Sequence, residues 1–214
     1  MSYAIPSMTR VPATEKGLTI ADFLIPVGVG ERISPRVRHI ALVIAGALLI
    51  YLTSLVSIQL PGNPVPVTLQ TFGVLVVGGA LGLKRGSSST FLYVALGMIG
   101  LPFFAEGKGG LQVIWGTTGG YLIGFVLAAA LVGRLAELGW DRRLGGALGA
   151  TALGSLVIYA VGVPWLAVVL GISLVDAFRL GVLPFLVFDI VKLVAAALVF
   201  PAAWWVVGRR PSDR

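Results

Sequence analysis

Long apolar runs, each bounded by turn-forming or charged residues, constrain this chain more than any other feature. A helix that crosses the ~30 Å hydrocarbon core of a bilayer needs about 20 mostly apolar residues. Several runs approach that length, and the chain is 57% hydrophobic and only 12% charged. The sequence therefore predicts an all-α integral membrane protein, because its 214 residues leave no room for a separate soluble catalytic domain.

Six such runs predict six transmembrane helices. The predicted spans are residues 39–60, 67–83, 87–103, 116–136, 145–163 and 183–207. The fifth ends near Pro164, and an irregular stretch follows it. The predicted organisation is an N-terminal cytoplasmic or interfacial segment over 1–38, a single six-helix membrane domain over 39–208 and a cytoplasmic tail over 209–214.

The basic residues predict how these spans are oriented. Cytoplasmic loops of membrane proteins carry an excess of Lys and Arg. Thirteen basic residues fall on one side of the predicted spans: Arg10, Lys16, Arg32, Arg36, Arg38, Lys84, Arg85, Arg134, Arg142, Arg143, Arg209, Arg210 and Arg214. Lys108 and Arg179 fall on the other side. This bias predicts that both termini are cytoplasmic, and it explains the net charge of +7 without a nucleic-acid partner.

Two ionisable residues, Asp189 and Lys192, lie inside the last apolar run. They are three residues apart, so a helix places them on one face, within reach of each other. Ionisable residues at membrane depth are expensive, and they usually face a cavity or the interior of the bundle. Two interpretations are open at this point: an acid–base pair that holds a polar ligand, and a structural ion pair between helices.

Catalytic and metal-binding signatures are absent from the sequence. There are no cysteines, and the single histidine, His39, lies at the edge of the first span. No HExxH motif occurs, and Gly107-Lys108-Gly109 lacks the upstream glycine and the following Ser or Thr of a P-loop. The sequence therefore predicts a non-enzyme with no catalytic residue, no metal site and no cofactor.

The predicted topology places a ligand pocket among the outward-facing loops 61–66, 102–115 and 164–182. Polar neighbours of these loops are Thr68, Gln70, Glu106, Tyr121 and the Asp189–Lys192 pair. Aromatic neighbours are Phe103, Phe104, Trp115, Tyr121 and Phe185. Apolar walls with a few placed polar groups are typical of small-molecule sites. An interfacial belt of aromatic residues is the alternative explanation for the second set.

Small residues recur every four positions in several spans, which lets helices approach closely. The stripes are Gly116, Gly120, Gly124 and Ala128; Gly146, Ala150 and Gly154; and Ala41 and Ala45. Internal packing explains such stripes in general. The stripe of the first span is also compatible with a surface for a partner protein.

Several ordered motifs resemble those of the BioY family. They are VPVTLQTF at 65–72, LGLKRG at 81–86, YVALGMIGLPFFA at 93–105, GTTGGYLIGF at 116–125, and the LPF of 183–185 with Asp189-xx-Lys192. Together they cover roughly residues 39–200 in the family's order. Thr117 departs from the family's GPTGGY pattern, in which a proline is usual. Glu106 departs as well, because the family often has a small or amide residue there.

The resemblance implies a function and a set of partners. BioY proteins are the biotin-binding S components of energy-coupling factor (ECF) transporters. The resemblance therefore implies a multi-pass protein of the plasma or inner membrane that captures biotin with high affinity. Its uptake would be energised by a transmembrane T component and two cytoplasmic ATPase subunits. A stand-alone secondary carrier or channel for another small solute is the alternative.

The resemblance also implies roles for particular residues. Asp189 would accept the ureido N–H of biotin, and Lys192 would reach the ureido carbonyl. Tyr121, Gln70, Phe104 and Glu106 are the further candidates for the wall of the pocket or the biotin tail. The Ala41-xxx-Ala45 stripe resembles the family's surface for docking the T component. A Glu106 side chain in the pocket would repel the carboxylate of biotin, whereas one that points to water would be inert.

Overall fold

The structure is a computed structural model that describes residues 19–24 and 34–207. Its helices are α1 (Ile20–Leu24), α2 (Pro35–Ser54), α3 (Gln70–Met98), α4 (Leu111–Ile114), α5 (Gly119–Glu137), α6 (Leu144–Leu170), α7 (Leu174–Gly181) and α8 (Leu186–Val207). Two short antiparallel strands, β1 (Ser57–Ile58) and β2 (Val67–Thr68), join α2 to α3. The tail predicted at 209–214, and most of the segment predicted at 1–38, lie outside the described residues.

Four of the described helices, α2, α5, α6 and α8, are long and apolar enough to cross a membrane. Local sequence explains several of their ends. The Ser34 hydroxyl accepts a hydrogen bond from the amide of Val37 at the start of α2, where Pro35 takes a first-turn position. Gly171 ends α6 in the left-handed conformation, with φ of 65°.

Helix α3 reverses direction at Gly82, whose φ of 81° and ψ of −179° interrupt the helix. The side-chain amide of Gln70 donates a hydrogen bond to the hydroxyl of Tyr93. In a straight helix these residues would lie ~34 Å apart. A Cβ atom on Gly86 would lie 2.8 Å from the Cα atom of Gly78, so two arms, 70–81 and 83–98, pack against each other. The two arms overlap the predicted second and third spans, 67–83 and 87–103.

Close approach at small residues holds the segments together. A Cβ atom on Gly78 of α3 would lie 2.8 Å from the carbonyl oxygen of Ala129 in α5. One on Gly124 of α5 would lie 3.0 Å from the Cα atom of Ile158 in α6. Ala128 is fully buried. The stripes of the fourth and fifth spans therefore pack inside the bundle, where there is no space for larger side chains.

Most of the basic residues that flank the helices gather at one end of the bundle. Asp22 of α1 accepts a hydrogen bond from Arg85, at the reversal of α3, over 2.8 Å, and it lies 3.6 Å from Arg38 at the start of α2. The amide of Leu83 donates to Glu137 at the end of α5, over 2.9 Å. We call this the basic end, defined by Arg38, Lys84, Arg85, Arg134 and Arg142. The indole of Trp204, near the end of α8, donates to Asp141 there, over 2.7 Å.

The structure corrects two of the predicted boundaries. The fifth span does not end near Pro164, since α6 continues through it to Leu170. Proline removes one backbone hydrogen bond, but neighbouring helices allow it in apolar helices, and the indole of Trp165 ties this part of α6 to the carbonyl of Gly116 over 2.9 Å. The first span ends at Ser54 rather than residue 60, because the chain turns into β1. The stretch predicted to be irregular after Pro164 also contains α7.

Candidate functional site

A cavity of about 310 Å³ lies at the end of the bundle opposite the basic end. We call this the cavity end. The cavity is lined by residues 64–68, the start of α3, residues 104–118, the first two turns of α5, α6, the end of α7 and the first two turns of α8. All six residues that the sequence suggested for the substrate line it: Gln70, Phe104, Glu106, Tyr121, Asp189 and Lys192.

Asp189 and Lys192 form an ion pair on α8, which we call the helix pair. The Lys192 Nζ atom lies 2.6 Å from the Asp189 Oδ1 atom, and the two side chains are 11% and 14% exposed respectively. The hydroxyl of Tyr159, on α6, donates a hydrogen bond to Asp189 Oδ2. Lys192 also donates to the hydroxyl of Thr71, on α3, over 3.4 Å. Three segments of the bundle therefore fix the position of the pair.

The helix pair keeps unused hydrogen-bonding capacity. An ammonium group has three N–H donors, and Asp189 and Thr71 take two of those on Lys192. Each carboxylate oxygen has two lone pairs, so Asp189 can accept further N–H donors beside Tyr159 and Lys192. The pair can therefore bind a neutral group that offers N–H donors and a carbonyl oxygen side by side.

Tyr121 and Gln70 are largely engaged within the protein. Tyr121 is 8% exposed, and its hydroxyl donates to the carbonyl of Gly181 over 3.1 Å. Gln70 is 5% exposed, donates to Tyr93 and accepts from the Thr68 hydroxyl over 3.1 Å. These bonds fix both side chains in the wall of the cavity.

Phe104 and Glu106 belong to a tight turn over residues 104–108. The amide of Phe104 donates to the carbonyl of Lys108 over 2.9 Å, which closes the turn. Phe104 is 2% exposed and stands edge-on to Tyr93. Glu106 is left-handed, with φ of 61°, and its carboxylate lies 2.5 Å from Lys108 Nζ. We call Glu106 and Lys108 the loop pair. Glu106 thus lines the cavity with a cation beside it.

Three of the five aromatic residues suggested for the wall line the cavity, namely Phe104, Tyr121 and Phe185. The other two lie elsewhere. Phe103 stacks on Tyr51 with ring centroids 4.4 Å apart. Trp115 is 67% exposed and stacks on Trp165. Fewer of the suggested aromatic residues therefore line the cavity than the sequence indicated.

Tyr159, Thr71 and Lys108 also line the cavity, although the sequence did not single them out. Tyr159 was detectable as a hydroxyl-bearing residue within the apolar fifth span, although nothing in the sequence links it to Asp189. Thr71 directly follows Gln70 in the VPVTLQTF motif.

The departure at Thr117 has a clear structural role, because its hydroxyl donates to the carbonyl of Pro64 over 2.9 Å.

Ala41 and Ala45 are both exposed on α2 and do not line the cavity. Gly46, Ala47 and Ile50 of the same helix are buried in the bundle. This stripe therefore differs from those of α5 and α6, which are buried inside. Within residues 19–24 and 34–207, no three His, Cys, Asp or Glu side chains come together as metal ligands would.

The fold and the cavity define a helical membrane protein with a candidate small-molecule site near one end of the bundle. A family model described as the BioY family matches residues 26–209. The chain therefore belongs to the BioY family.

Similar proteins include a biotin transporter and a probable biotin transporter. The biotin transporter BioY of Thermotoga maritima is 46% identical over 145 residues, which are 66% of this chain and 82% of that protein. The probable biotin transporter BioY of Pyrococcus horikoshii is 43% identical over 154 residues, or 72% and 90%. The 2.1 Å crystal structure of the S-component for biotin from an ECF-type ABC transporter matches with a TM-score of 0.73 and 28% identity. That match covers 79% of this chain and 93% of the other.

Proposed function

We propose that this chain captures biotin and serves as the membrane substrate-binding subunit of an ECF-type ABC transporter. Membership of the BioY family, together with relatives that are biotin transporters, supports this role. The chain is a multi-pass membrane protein, and its role is transport rather than catalysis. The helix pair in an apolar cavity is the structural observation that carries the proposal, because its remaining donors and acceptors match the ureido ring.

In the proposed complex, Asp189 accepts an N–H of the ureido group and Lys192 donates to its carbonyl oxygen. Phe104, Tyr121 and Phe185 cover the apolar part of the bicyclic ring. The cavity of about 310 Å³ is at the lower end of the ~300–1,000 Å³ typical of ligand pockets. Tyr159 and Thr71 keep the helix pair in position.

Thermal unfolding of the purified protein, with and without biotin, tests this function. A ligand that binds only the folded state raises the melting temperature as its concentration exceeds the dissociation constant. We expect a rise that grows with biotin concentration. A melting temperature that biotin leaves unchanged would favour the alternative, a stand-alone carrier or channel for another solute.

We further propose that residues 39–208 form one six-span membrane domain with both termini cytoplasmic. The gathering of Arg38, Lys84, Arg85, Arg134 and Arg142 at one end supports this orientation. So does the contact of Trp204 with Asp141, which brings the end of α8 to the end where α2 begins.

Cysteine labelling tests the topology, since the chain has no cysteine of its own. The exposed Lys84 and Arg179 are suitable positions. Gly86 and Gly109 are unsuitable for cysteine substitution, because a Cβ atom on either residue would collide with neighbouring backbone atoms. Lys84→Cys should react only from the cytoplasm and Arg179→Cys only from outside, and equal access would contradict the proposal.

The proposed partners are a T component and two cytoplasmic ATPase subunits. The similar solved structure is that of an S-component from an ECF-type ABC transporter, which supports this assembly. We assign the Ala41–Ala45 stripe of α2 to docking the T component, since small side chains allow a partner helix to approach closely.

A further inference from the structure

The loop pair and the helix pair differ in how firmly the protein holds them. The side chains of Asp189 and Lys192 are 14% and 11% exposed, and hydroxyl groups from α6 and α3 bind them. Lys108 is 61% exposed and Glu106 28%. Across residues 19–24 and 34–207, the side chains of the loop pair have no polar partner besides each other. The loop pair is therefore the more easily separated, since exposed ion pairs are weak.

Biotin, the ligand of the proposed function, presents two different polar ends. Its ureido ring is neutral, and a flexible chain carries a single carboxylate. The anionic end must be accommodated in a cavity whose charged lining residues are Glu106, Lys108, Asp189 and Lys192, which sum to zero. At the helix pair, a second carboxylate would face Asp189 at close range while losing its water, which is unfavourable. At the loop pair, the exposed Lys108 can leave Glu106 and pair with the ligand carboxylate instead.

We propose that Lys108 binds the carboxylate of the ligand and that Glu106 is the resident anion which this carboxylate displaces. In the structure, the Glu106 carboxylate lies 2.5 Å from Lys108 Nζ and satisfies its charge. On binding, the ligand carboxylate takes over that role. Because it is acidic, Glu106 competes with the ligand, so the pair selects for a free carboxylate but limits its affinity. This inference rests on the proposed function and adds the orientation of biotin, with the ureido ring at α8 and the carboxylate at the loop 104–108.

Titrations of purified protein with biotin and with its neutral carboxamide, biotinamide, test the inference. Lys108→Met should weaken biotin about tenfold, a change of about 1.4 kcal/mol, and leave biotinamide within about twofold of wild type. Glu106→Gln should tighten biotin a few-fold and leave biotinamide unchanged, because only the anion competes with Glu106. Lys108→Arg should keep most of the preference for biotin, since the cation remains.

Arg179 and Asp176 supply a matched control. They also form an exposed ion pair at the cavity end, with Nη1 and Oδ1 3.6 Å apart, but neither lines the cavity. Arg179→Met and Asp176→Asn should change the affinity for neither ligand. An equal loss of biotin affinity in the control and test variants would show a general effect of surface charge and would overturn the inference.

The remaining outcomes separate this inference from the proposed function. If Lys108→Met weakens both ligands equally, Lys108 supports the fold of the loop and not the carboxylate. If Lys108→Met weakens the binding of neither ligand, the carboxylate of biotin binds elsewhere. If Glu106→Gln weakens biotin binding, Glu106 does not compete with the ligand carboxylate. Failure of the wild-type protein to bind either ligand would instead overturn the proposed function, and with it this inference. Melting temperatures of the ligand-free variants show that each is folded.

Discussion

The two ends of the bundle contain similar charged residues and cavities of similar size, but the charged side chains are bonded differently at each end. A hollow of about 330 Å³ at the basic end is bordered by Asp22, Arg85, Arg134 and Glu137. There, each acidic side chain joins two parts of the protein, as Asp22 joins α1 to Arg85 and Arg38. At the cavity end, Asp189 and Lys192 keep unused donors and acceptors towards an apolar space. Free bonding capacity beside an apolar wall, rather than charge itself, therefore distinguishes the proposed binding site.

Substitutions in the helix pair should give the largest difference in biotin affinity between the two ends of the bundle. Asp189→Asn and Lys192→Met should each weaken biotin binding on the order of 100-fold, because each removes a charged hydrogen bond to the ligand. Each substitution also strands the partner charge, at about 3–5 kcal/mol in a buried site. Isothermal titration and thermal unfolding measure the two effects separately.

The double variant Asp189→Asn/Lys192→Met distinguishes a binding pair from a structural one. It removes both charges, so the stability should return towards that of the wild type while the affinity stays low. Recovery of both stability and affinity would show that the pair is structural and that biotin binds elsewhere.

A second prediction concerns a surface that belongs to neither end. Ala41→Trp with Ala45→Trp should leave biotin binding near wild type, because both residues lie outside the cavity. Co-purification with the T component should fall at least about tenfold, since bulky side chains prevent close helix approach. Leu156→Trp, at an exposed position of α6, is the control and should preserve assembly. Intact assembly of the alanine double variant would assign docking to another surface.

At the basic end, Asp141 should affect stability and its pH dependence but not biotin affinity. Burial raises the pKa of this carboxyl to about 6, although the hydrogen bond from Trp204 and the charge of Arg142 oppose the rise. The folded state therefore binds a proton that the unfolded state lacks between pH ~6 and ~4. Stability should increase by about 2 kcal/mol as the pH falls through this window, and Asp141→Asn should remove the increase.

The smallest effect is expected for Asp22. Burial alone would raise its pKa, but hydrogen bonds from Arg85 and the Thr19 amide outweigh burial and lower it. Its contribution to stability is therefore complete above the unfolded pKa and is lost as the pH falls through the lowered folded value. Asp22→Asn should lower the free energy of unfolding by about 1 kcal/mol at neutral pH and leave the affinity for biotin unchanged. A large loss of affinity would mean that the two ends are coupled.

The sequence singled out six of the residues that line the cavity, because they lie in short, ordered motifs. Asp189 and Lys192 are three positions apart on one helix, so their contact follows from helical geometry. Tyr159 and Thr71 contact the same pair from α6 and α3, and those contacts depend on how the helices pack. The side chain of Glu106 could not be placed either, because its left-handed backbone and its contact with Lys108 are set by the turn.

Two predicted helix ends were wrong, for two physical reasons. Proline signals a break in water-soluble helices, but inside a bundle the neighbours of Pro164 maintain α6. Residues 55–60 are apolar enough to continue α2, but the pairing of β1 with β2 turns the chain away. The packing of Ile20 and Ala21 into the bundle was not predicted at all, since α1 is too short to show a periodic pattern.

The reversal of α3 at Gly82 has a consequence for the lipid around the protein. The arm over 70–81 has a length of only ~18 Å at 1.5 Å per residue, well below the ~30 Å thickness of a bilayer core. Lys84 and Arg85 at its tip nevertheless require the headgroup region. With the proposed topology, we expect the leaflet beside this hairpin to become thinner, or the two side chains to extend along the helix to reach the phosphates. A bilayer of shorter acyl chains removes this mismatch, so the hydrophobic thickness of the membrane becomes a determinant of the protein's stability.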